Sequence, residues 1–167
     1  MAGLRPFLWT AFVILVLDQA TKVFIVEYLD LKSRGYVEVF PPFLVLQMAW
    51  NEGINFGLFS GLGDAMRWVL IAIALAITGW LTSWMWHEKP SRMVQISAGF
   101  VVGGAIGNVI DRLVYGAVAD FLNMSCCGFE NPYSFNVADI AIFIGAFGLI
   151  IFYGDGPKTG DAPDEMR

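Results

Sequence analysis

Long apolar runs, each broken by only a few polar positions, dominate the chain. Four of these runs predict helices: Phe7 to Val26, Trp68 to Trp86, Met93 to Tyr115 and Phe135 to Tyr153. Each is close to the ~20 residues that an α-helix needs to cross the hydrocarbon core of a bilayer. The pattern therefore predicts an integral membrane protein, mainly α, with four transmembrane helices in a single domain over residues 1–153.

Both ends of this domain are predicted to face the cytoplasm. Arg5 precedes the first run, Lys89 and Arg92 lie between the second and third, and Lys158 and Arg167 follow the fourth. The excess of Lys and Arg in cytoplasmic loops gives an N-in/C-in orientation. Residues 154–167 are rich in glycine, proline and acids and predict a disordered cytoplasmic tail.

Two segments then lie outside the membrane, residues 27–67 and 116–134. In the first, the β-branched and aromatic runs Tyr36 to Phe40 and Phe43 to Met48 flank a Pro-Pro pair. They predict a small extracytoplasmic β element between helices 1 and 2. The apolar side chains of this segment could instead lie on the lipid surface, or the segment could clamp a substrate.

Composition narrows the function further. The chain is 57% hydrophobic and 15% charged, and it has no clustered Lys/Arg stripe of the kind that nucleic-acid binding needs. The adjacent Cys126 and Cys127 and the single His87 have no spacing typical of a metal site or a disulfide framework. We therefore expect no nucleic-acid partner, no metal and no cofactor.

Polar residues inside the apolar runs converge on one layer near the outer surface. Asp18 and Lys22 lie ~17 and ~23 Å along the first helix, and the polar residues of the third helix come near its outer end. Ionisable groups at such depth are costly unless they face the bundle interior, so they indicate a functional or supporting site. The set is Asp18, Lys22, Asn108, Asp111, Arg112, Asn136 and Asp139.

A purely structural role explains some of these residues better than others. Asp18 and Lys22 are spaced i, i+4 and can neutralise each other, and Asp111 and Arg112 are best interpreted as structural pairing residues at a helix end. Asp139 has no basic residue within a helical turn, so it is the leading functional candidate.

Two further features precede and follow the third helix's outer end. Gly99, Gly103 and Gly107 form a stripe that predicts close packing against another helix. Asp120 follows Gly116, a residue suited to ending a helix with positive φ. Taken alone, Asp120 would be interpreted as a solvated turn residue.

Four sequence blocks together resemble the lipoprotein signal peptidase (signal peptidase II) family. They are DQATK at Asp18 to Lys22, NEGINFG at Asn51 to Gly57, GGAIGNVIDRLVYGAVADF at Gly103 to Phe121, and FNVAD at Phe135 to Asp139. The resemblance covers nearly all of the chain except the tail. Asn55 departs from the alanine that is common in the family.

The resemblance implies a role for individual residues. Asp120 and Asp139 would form a catalytic dyad, and Asp18 and Lys22 would be structural. Which aspartate carries the proton at rest stays open. The resemblance also implies supporting or substrate-contacting roles for Asn51, Gly53, Asn108, Arg112 and Asn136.

The implied activity is that of an intramembrane aspartic endopeptidase without a metal. It would remove the signal peptide from diacylglyceryl-modified bacterial prolipoproteins, cleaving on the amino side of the lipidated cysteine. The resemblance places such an enzyme in the bacterial cytoplasmic (inner) membrane, with its active site near the extracytoplasmic leaflet. It further implies a monomer in contact with membrane lipids and a target of cyclic peptide inhibitors such as globomycin.

Two other classes of protein can also place acids in membrane helices. A proton-coupled small transporter or channel uses such acids as relays, although the four runs show no repeated halves with broken helices. A non-enzymatic assembly or chaperone subunit could use the glycine stripe and the aromatic loop as its working surfaces.

Overall fold

The computed structural model describes residues 3–53 and 63–153. Helix α1 continues into a π-helical turn at Val23–Tyr28, and α2 is a single short turn. A three-stranded sheet accompanies the helices. In chain order the elements are α1 (Arg5–Lys22), α2 (Leu31–Arg34), β1 (Tyr36–Phe40), β2 (Leu44–Asn51), α3 (Gly63–Glu88), α4 (Arg92–Val114), β3 (Val118–Asn123) and α5 (Val137–Phe152).

Each predicted span coincides with a helix. Arg5–Tyr28, Ala65–Glu88 and Arg92–Val114 are long and apolar enough to cross a membrane, while α5 is an apolar helix of 16 residues. Large apolar side chains point outward from the bundle, as in Trp9, which is 68% exposed, and Phe143, which is 75% exposed. The helical part is therefore that of a multi-pass membrane protein.

Helix α4 lies at the centre of the bundle and packs against α1, α3 and α5. A Cβ atom at Gly103 would come within 2.6 Å of the Ala11 carbonyl oxygen, and one at Gly104 within 2.5 Å of the Ala138 carbonyl oxygen. The predicted glycine stripe is confirmed as a packing face, and it contacts α1. Gly104, on the neighbouring line of α4, allows the same close approach by α5.

The sheet confirms the predicted β element and extends it. Strands β1 and β2 form an antiparallel pair, and β3 adds to β2 with Asn51 opposite Val118. Strand β3 lies in the segment after α4, where the sequence taken alone predicts a turn. A buried cluster joins the sheet to the ends of α1 and α2: Val26, Leu31, Leu46, Ala119 and Phe121.

Three sequence predictions lie partly or wholly outside the described residues. The acidic tail, residues 154–167, is one of them. The others are Asn55 and the remainder of the NEGINFG block after Gly53.

Candidate active site

Asp120 lies on β3, where pairing with β2 holds it at the end of the helical bundle. The chain leaves α4 through Gly116, whose φ of +83° favours glycine, and enters the strand directly. Ala49 is the cross-strand partner of Asp120, and the Asn51 side-chain amide donates to the Asp120 carboxyl at 3.0 Å. Only 3% of Asp120 is exposed. It is thus a buried strand residue and not a solvated turn residue.

Asp139 lies in the first turn of α5, where it forms a capping box with Asn136. The Asn136 Oδ1 atom accepts from the Asp139 backbone N–H at 2.9 Å, and the Asp139 carboxyl accepts from the Asn136 backbone N–H at 3.2 Å. The Asn108 side-chain amide donates to the other oxygen of Asp139 at 2.9 Å. Both carboxyl oxygens therefore have fixed donors.

Asn136 joins the two aspartates. Its side-chain Nδ2 donates to Asp120 Oδ1 at 2.6 Å and to Asn108 Oδ1 at 3.2 Å, while its backbone N–H donates to Asp139. Asn136 itself is fully buried. The structure thus brings Asp120, Asp139, Asn108 and Asn136 into one hydrogen-bonded site.

The environment of Asp120 favours its protonated form. Burial, followed by the negative charge of Asp139, raises the pKa of the Asp120 carboxyl from 3.8 to about 7. The hydrogen bonds from Asn51 and Asn136 and the charge of Lys22 act in the opposite direction. Burial and a neighbouring carboxylate are the causes that let one of two paired acids keep its proton near neutral pH.

A buried cation lies directly behind this site. Lys22 Nζ is 2.8 Å from the Asp18 carboxyl, 2.7 Å from the Asp111 carboxyl and 3.2 Å from Asn108 Oδ1. Only 1% of Lys22 is exposed. The predicted pair of Asp18 and Lys22 is confirmed, and the lysine also neutralises Asp111 and contacts an amide that bonds to Asp139.

The two carboxylates that Lys22 neutralises also hold backbone groups next to the dyad. Asp18 accepts from the Ala138 N–H at 3.0 Å, at the start of α5, and Asp111 accepts from the Ala119 N–H at 3.2 Å, on β3. Each contact lies one residue from a candidate catalytic aspartate. The pairing predicted for Asp111 exists, with α1 as its partner helix.

Gln19 belongs to the same network, and sequence analysis missed it. Its side-chain amide donates to Asp18 at 3.1 Å and to Asp111 at 3.1 Å. The available signal was the position of Gln19 inside an apolar run, beside an aspartate.

The remaining predicted residues border the dyad. Arg112 Nη1 donates to the Asn108 backbone oxygen at 3.1 Å, and its charge attracts Asp139. Gly53, at φ +113°, donates its N–H to Asn51 Oδ1 at 3.0 Å. Asn51 is thereby held with its amide group directed at Asp120.

Metal ligands are not assembled in the described part of the chain. Among residues 3–53 and 63–153, no three histidine, cysteine, aspartate or glutamate side chains are grouped to hold a metal ion. Cys126, Cys127 and His87 are exposed.

Two neighbouring carboxyl groups, that of Asp120 buried and that of Asp139 half-buried, are typical of a hydrolase of the aspartic type. The family model for signal peptidase (SPase) II matches residues 10–153. The chain therefore belongs to the signal peptidase II family, whose members are aspartic peptidases. This membership favours the peptidase over the transporter and over the non-enzymatic subunit.

Individual relatives agree over nearly the full length. The chain is 41% identical over 153 residues to a lipoprotein signal peptidase of a Methylobacterium species, covering 92% of this chain and 91% of that one. It is 40% identical over 167 residues to a lipoprotein signal peptidase of Rhodopseudomonas palustris, covering 98% and 100%.

Solved structures show the same fold. Two bacterial membrane enzyme structures obtained by the in meso method match with TM-scores of 0.73 and 0.74. Their sequence identities to this chain are 26% and 28%. The first match covers 95% of this chain and 93% of the other, and the second covers 87% and 90%.

Proposed function

We propose that this protein removes the signal peptide from diacylglyceryl-modified prolipoproteins by using Asp120 and Asp139 as a catalytic dyad. The observation that carries the proposal is Asn136, which bonds to both carboxyl groups through its side chain and its backbone N–H. A residue that donates to both carboxyl groups in this way fixes the orientation of the two acids relative to each other. The substrate follows from the family and its lipoprotein signal peptidase relatives.

The unequal environments of the two acids divide the chemistry between them. Asp120 keeps the proton of the pair, because burial and the charge of Asp139 raise the pKa of its carboxyl to about 7. Asp139 then acts as the base towards a water molecule, while the Asp120 O–H donates to the oxygen of the scissile carbonyl.

The reaction needs no group beyond the two acids and water. The water oxygen bonds to the carbonyl carbon as Asp139 takes its proton, and a tetrahedral intermediate forms. Collapse of this intermediate breaks the C–N bond, and a proton from the dyad passes to the leaving amine of the lipidated cysteine. The products are the free carboxyl of the signal peptide and the free amine of the lipoprotein.

The supporting residues would orient the substrate and the dyad. Asn51 donates to Asp120 and Asn108 donates to Asp139, so each acid has its own amide besides the shared Asn136. Arg112 lies near Asp139 with its Nε atom buried and without a hydrogen-bond partner in the described part of the chain. That N–H is suited to a carbonyl oxygen of the bound substrate.

We further propose four membrane spans with both termini in the cytoplasm. Helix α5 is only ~24 Å long, but it lies against α4, where a Cβ atom at Gly145 would be 2.6 Å from the Ser97 carbonyl oxygen. The dyad then lies at the extracytoplasmic surface of the inner membrane, where a diacylglyceryl anchor holds the scissile bond. We also propose that the protein is a monomer and that globomycin binds at this site.

Cleavage of a synthetic lipobox peptide with a diacylglyceryl cysteine, by purified protein in detergent, tests the dyad. We expect Asp120→Asn and Asp139→Asn each to abolish cleavage while the melting temperature is retained, and chelators to have no effect. Glu130→Gln, a change at an exposed acid of the β3–α5 loop, is the matched control and should cleave normally. Near-normal cleavage by either aspartate variant would overturn the dyad assignment.

A further inference from the structure

A pocket of about 780 Å³ lies at the end of the bundle opposite the dyad. It is bounded by the last turn of α3, the loop to α4 and the end of α5. Asn108 of the dyad site is 16 residues beyond Arg92, the first residue of α4, or ~24 Å along the helix. The pocket therefore lies at the other membrane boundary, and none of the residues that line it takes part in the active site. We call it the loop pocket, after the residues Glu88, Lys89, Pro90 and Ser91.

Two opposite charges line the loop pocket side by side. Glu88 and Lys89 are both exposed, and neither forms an ion pair within residues 3–53 and 63–153. Ser91, the N-cap of α4, makes no capping hydrogen bond with its hydroxyl. The Gln95 side chain donates to the Pro90 carbonyl oxygen at 2.9 Å and braces the loop from behind.

An apolar groove continues from the pocket along the membrane-facing side of α3 and α5. This α3–α5 groove has a volume of about 380 Å³ and is lined by Trp80, Leu81, Leu149 and Ile150. Trp84 and Tyr153 border both the groove and the loop pocket. From Leu81 to Glu88 the two sites together extend ~10 Å along α3, so a polar end at the boundary leads directly into an apolar channel.

The groove exists because α3 packs mainly on α4. In the described part of the chain, the contacts of α3 are mostly with α4. The rings of Trp80 and Trp84 stack at 6.2 Å, and the ring of Trp84 meets that of Tyr153 at 5.7 Å. Tryptophan and tyrosine at this height are typical of the headgroup layer of a membrane.

We propose that the loop pocket and the α3–α5 groove together bind one phospholipid with a phosphoethanolamine headgroup. The lipid phosphate lies against Lys89 and the Ser91 hydroxyl, and the primary ammonium group donates to Glu88. One acyl chain occupies the α3–α5 groove. The charges select this headgroup, because a choline group has no N–H to donate to Glu88 and a glycerol headgroup carries no cation.

Such a lipid would fill the α3–α5 groove and add to the contacts between α3 and α5. A ligand that binds only the folded state raises stability in proportion to its occupancy. The melting temperature of the whole chain therefore reports binding, whether or not the peptidase is active. This proposal stands independently of the proposed function.

Titration of the delipidated full-length protein in detergent tests the proposal. Phosphatidylethanolamine, phosphatidylcholine and phosphatidylglycerol with identical acyl chains are added, and the melting temperature is followed by tryptophan fluorescence. We expect phosphatidylethanolamine to raise it at the lowest concentration, about tenfold below the other two, which is the effect of one hydrogen bond to a charged group. Equal effects of the three lipids would show an unspecific annulus and overturn the proposal.

Charge-neutralising variants locate the effect. Glu88→Gln should bring phosphatidylethanolamine to the level of phosphatidylcholine, and Lys89→Gln should weaken binding of all three lipids. Glu38→Gln on β1 and Arg5→Gln at the start of α1 change exposed charges outside the pocket and should leave the preference intact. A preference that survives Glu88→Gln would overturn the proposal. Stabilisation by a cationic signal peptide, but by none of the three lipids, would also overturn the proposal and would assign the pocket to the substrate.

Discussion

Asn136 performs three tasks with one side chain and one backbone N–H. It caps α5 through Oδ1, it donates to Asp120 and Asn108 through Nδ2, and its N–H binds Asp139. Local sequence explains the cap, since asparagine followed three positions later by an acid is a common helix start. Its bond to Asp120 depends on the sheet and could not be derived from local sequence.

Helix capping by Asn136 can be separated from the hydrogen bonds of its side-chain amide by a single substitution. Serine also caps helices well, so Asn136→Ser should keep α5 intact and shift the melting temperature little. It has no amide to join Asp120 to Asn108, so we expect kcat for the lipobox peptide to fall by about 100-fold, in the range of a lost catalytic hydrogen bond. Asn136→Ala, which removes the cap as well, should lose about 1 kcal/mol of stability in addition. A fully active Asn136→Ser variant would contradict a role beyond capping.

The raised pKa of Asp120 makes stability depend on pH in a defined direction. Between 3.8 and about 7 the folded state binds more protons at Asp120 than the unfolded state does. The free energy of unfolding therefore falls as pH rises through this window, and the contribution of Asp120 is fully present only below it. Melting temperatures of the wild type and Asp120→Asn at pH 5 and pH 8 measure this contribution, with Asp139, Lys22 and Arg112 present in both proteins.

We expect the wild type to lose more stability than Asp120→Asn between these two pH values, since asparagine does not titrate. Peptide cleavage by the wild type should decline above about pH 7, as Asp120 loses its proton. Parallel pH dependence in the two proteins would show that Asp120 does not titrate in this range.

At the scale of elements, the helices were predictable and the third strand was not. Each helix follows from an apolar run that needs no partner to be identified. Strand β3 pairs with β2, and the bond from Asn51 to Asp120 spans 69 positions of sequence. For this reason Asp139 stood out as an unpaired acid in a helix, whereas Asp120 gained its candidate role from resemblance and its position only from the structure.

Substitution by alanine is expected to have opposite effects at Gly103, where α4 is in close contact with α1, and at Gly79, which has open space around it. Gly103→Ala places a methyl group within 2.6 Å of the Ala11 carbonyl oxygen and 2.9 Å of Ile14 Cβ, so it should cost about 1–3 kcal/mol. Gly79→Ala, on an exposed face of α3 with nothing within 4 Å, should gain up to about 1 kcal/mol from helix propensity. Thermal unfolding in detergent compares the two variants. A tolerated Gly103→Ala would mean that the helices can separate without loss.

For the whole molecule, the Lys22 network connects α1 and α4 to the two elements that carry the aspartates, β3 and α5. The lysine is on α1 and two of its partners, Asp111 and Asn108, are on α4. Asp18 and Asp111 extend the connection to the backbone of α5 and β3. The backbone next to each aspartate of the dyad is thus held by one buried charge cluster, in addition to the sheet and the helices.

This arrangement predicts that substitution by methionine lowers stability far more at Lys22 than at Lys32. Lys22→Met keeps the apolar length of the side chain but leaves Asp18 and Asp111 buried without their cation, which should cost about 3–5 kcal/mol. The matched control is Lys32→Met, because Lys32 pairs with Glu27 at the surface with 45% of its side chain exposed, and such pairs contribute little.

The melting temperature and cleavage of the lipobox peptide distinguish packing from positioning for Lys22. When Lys22→Met is kept folded at low temperature, we expect cleavage to stay impaired. Asn108 then loses its contact with Nζ, and only the bond from Asn136 is left to orient it towards Asp139. Lys32→Met should change neither measurement appreciably. If Lys22→Met lost stability but cleaved normally when cold, the network would support the fold without positioning the dyad, and the coupling of the two through Asn108 would be wrong.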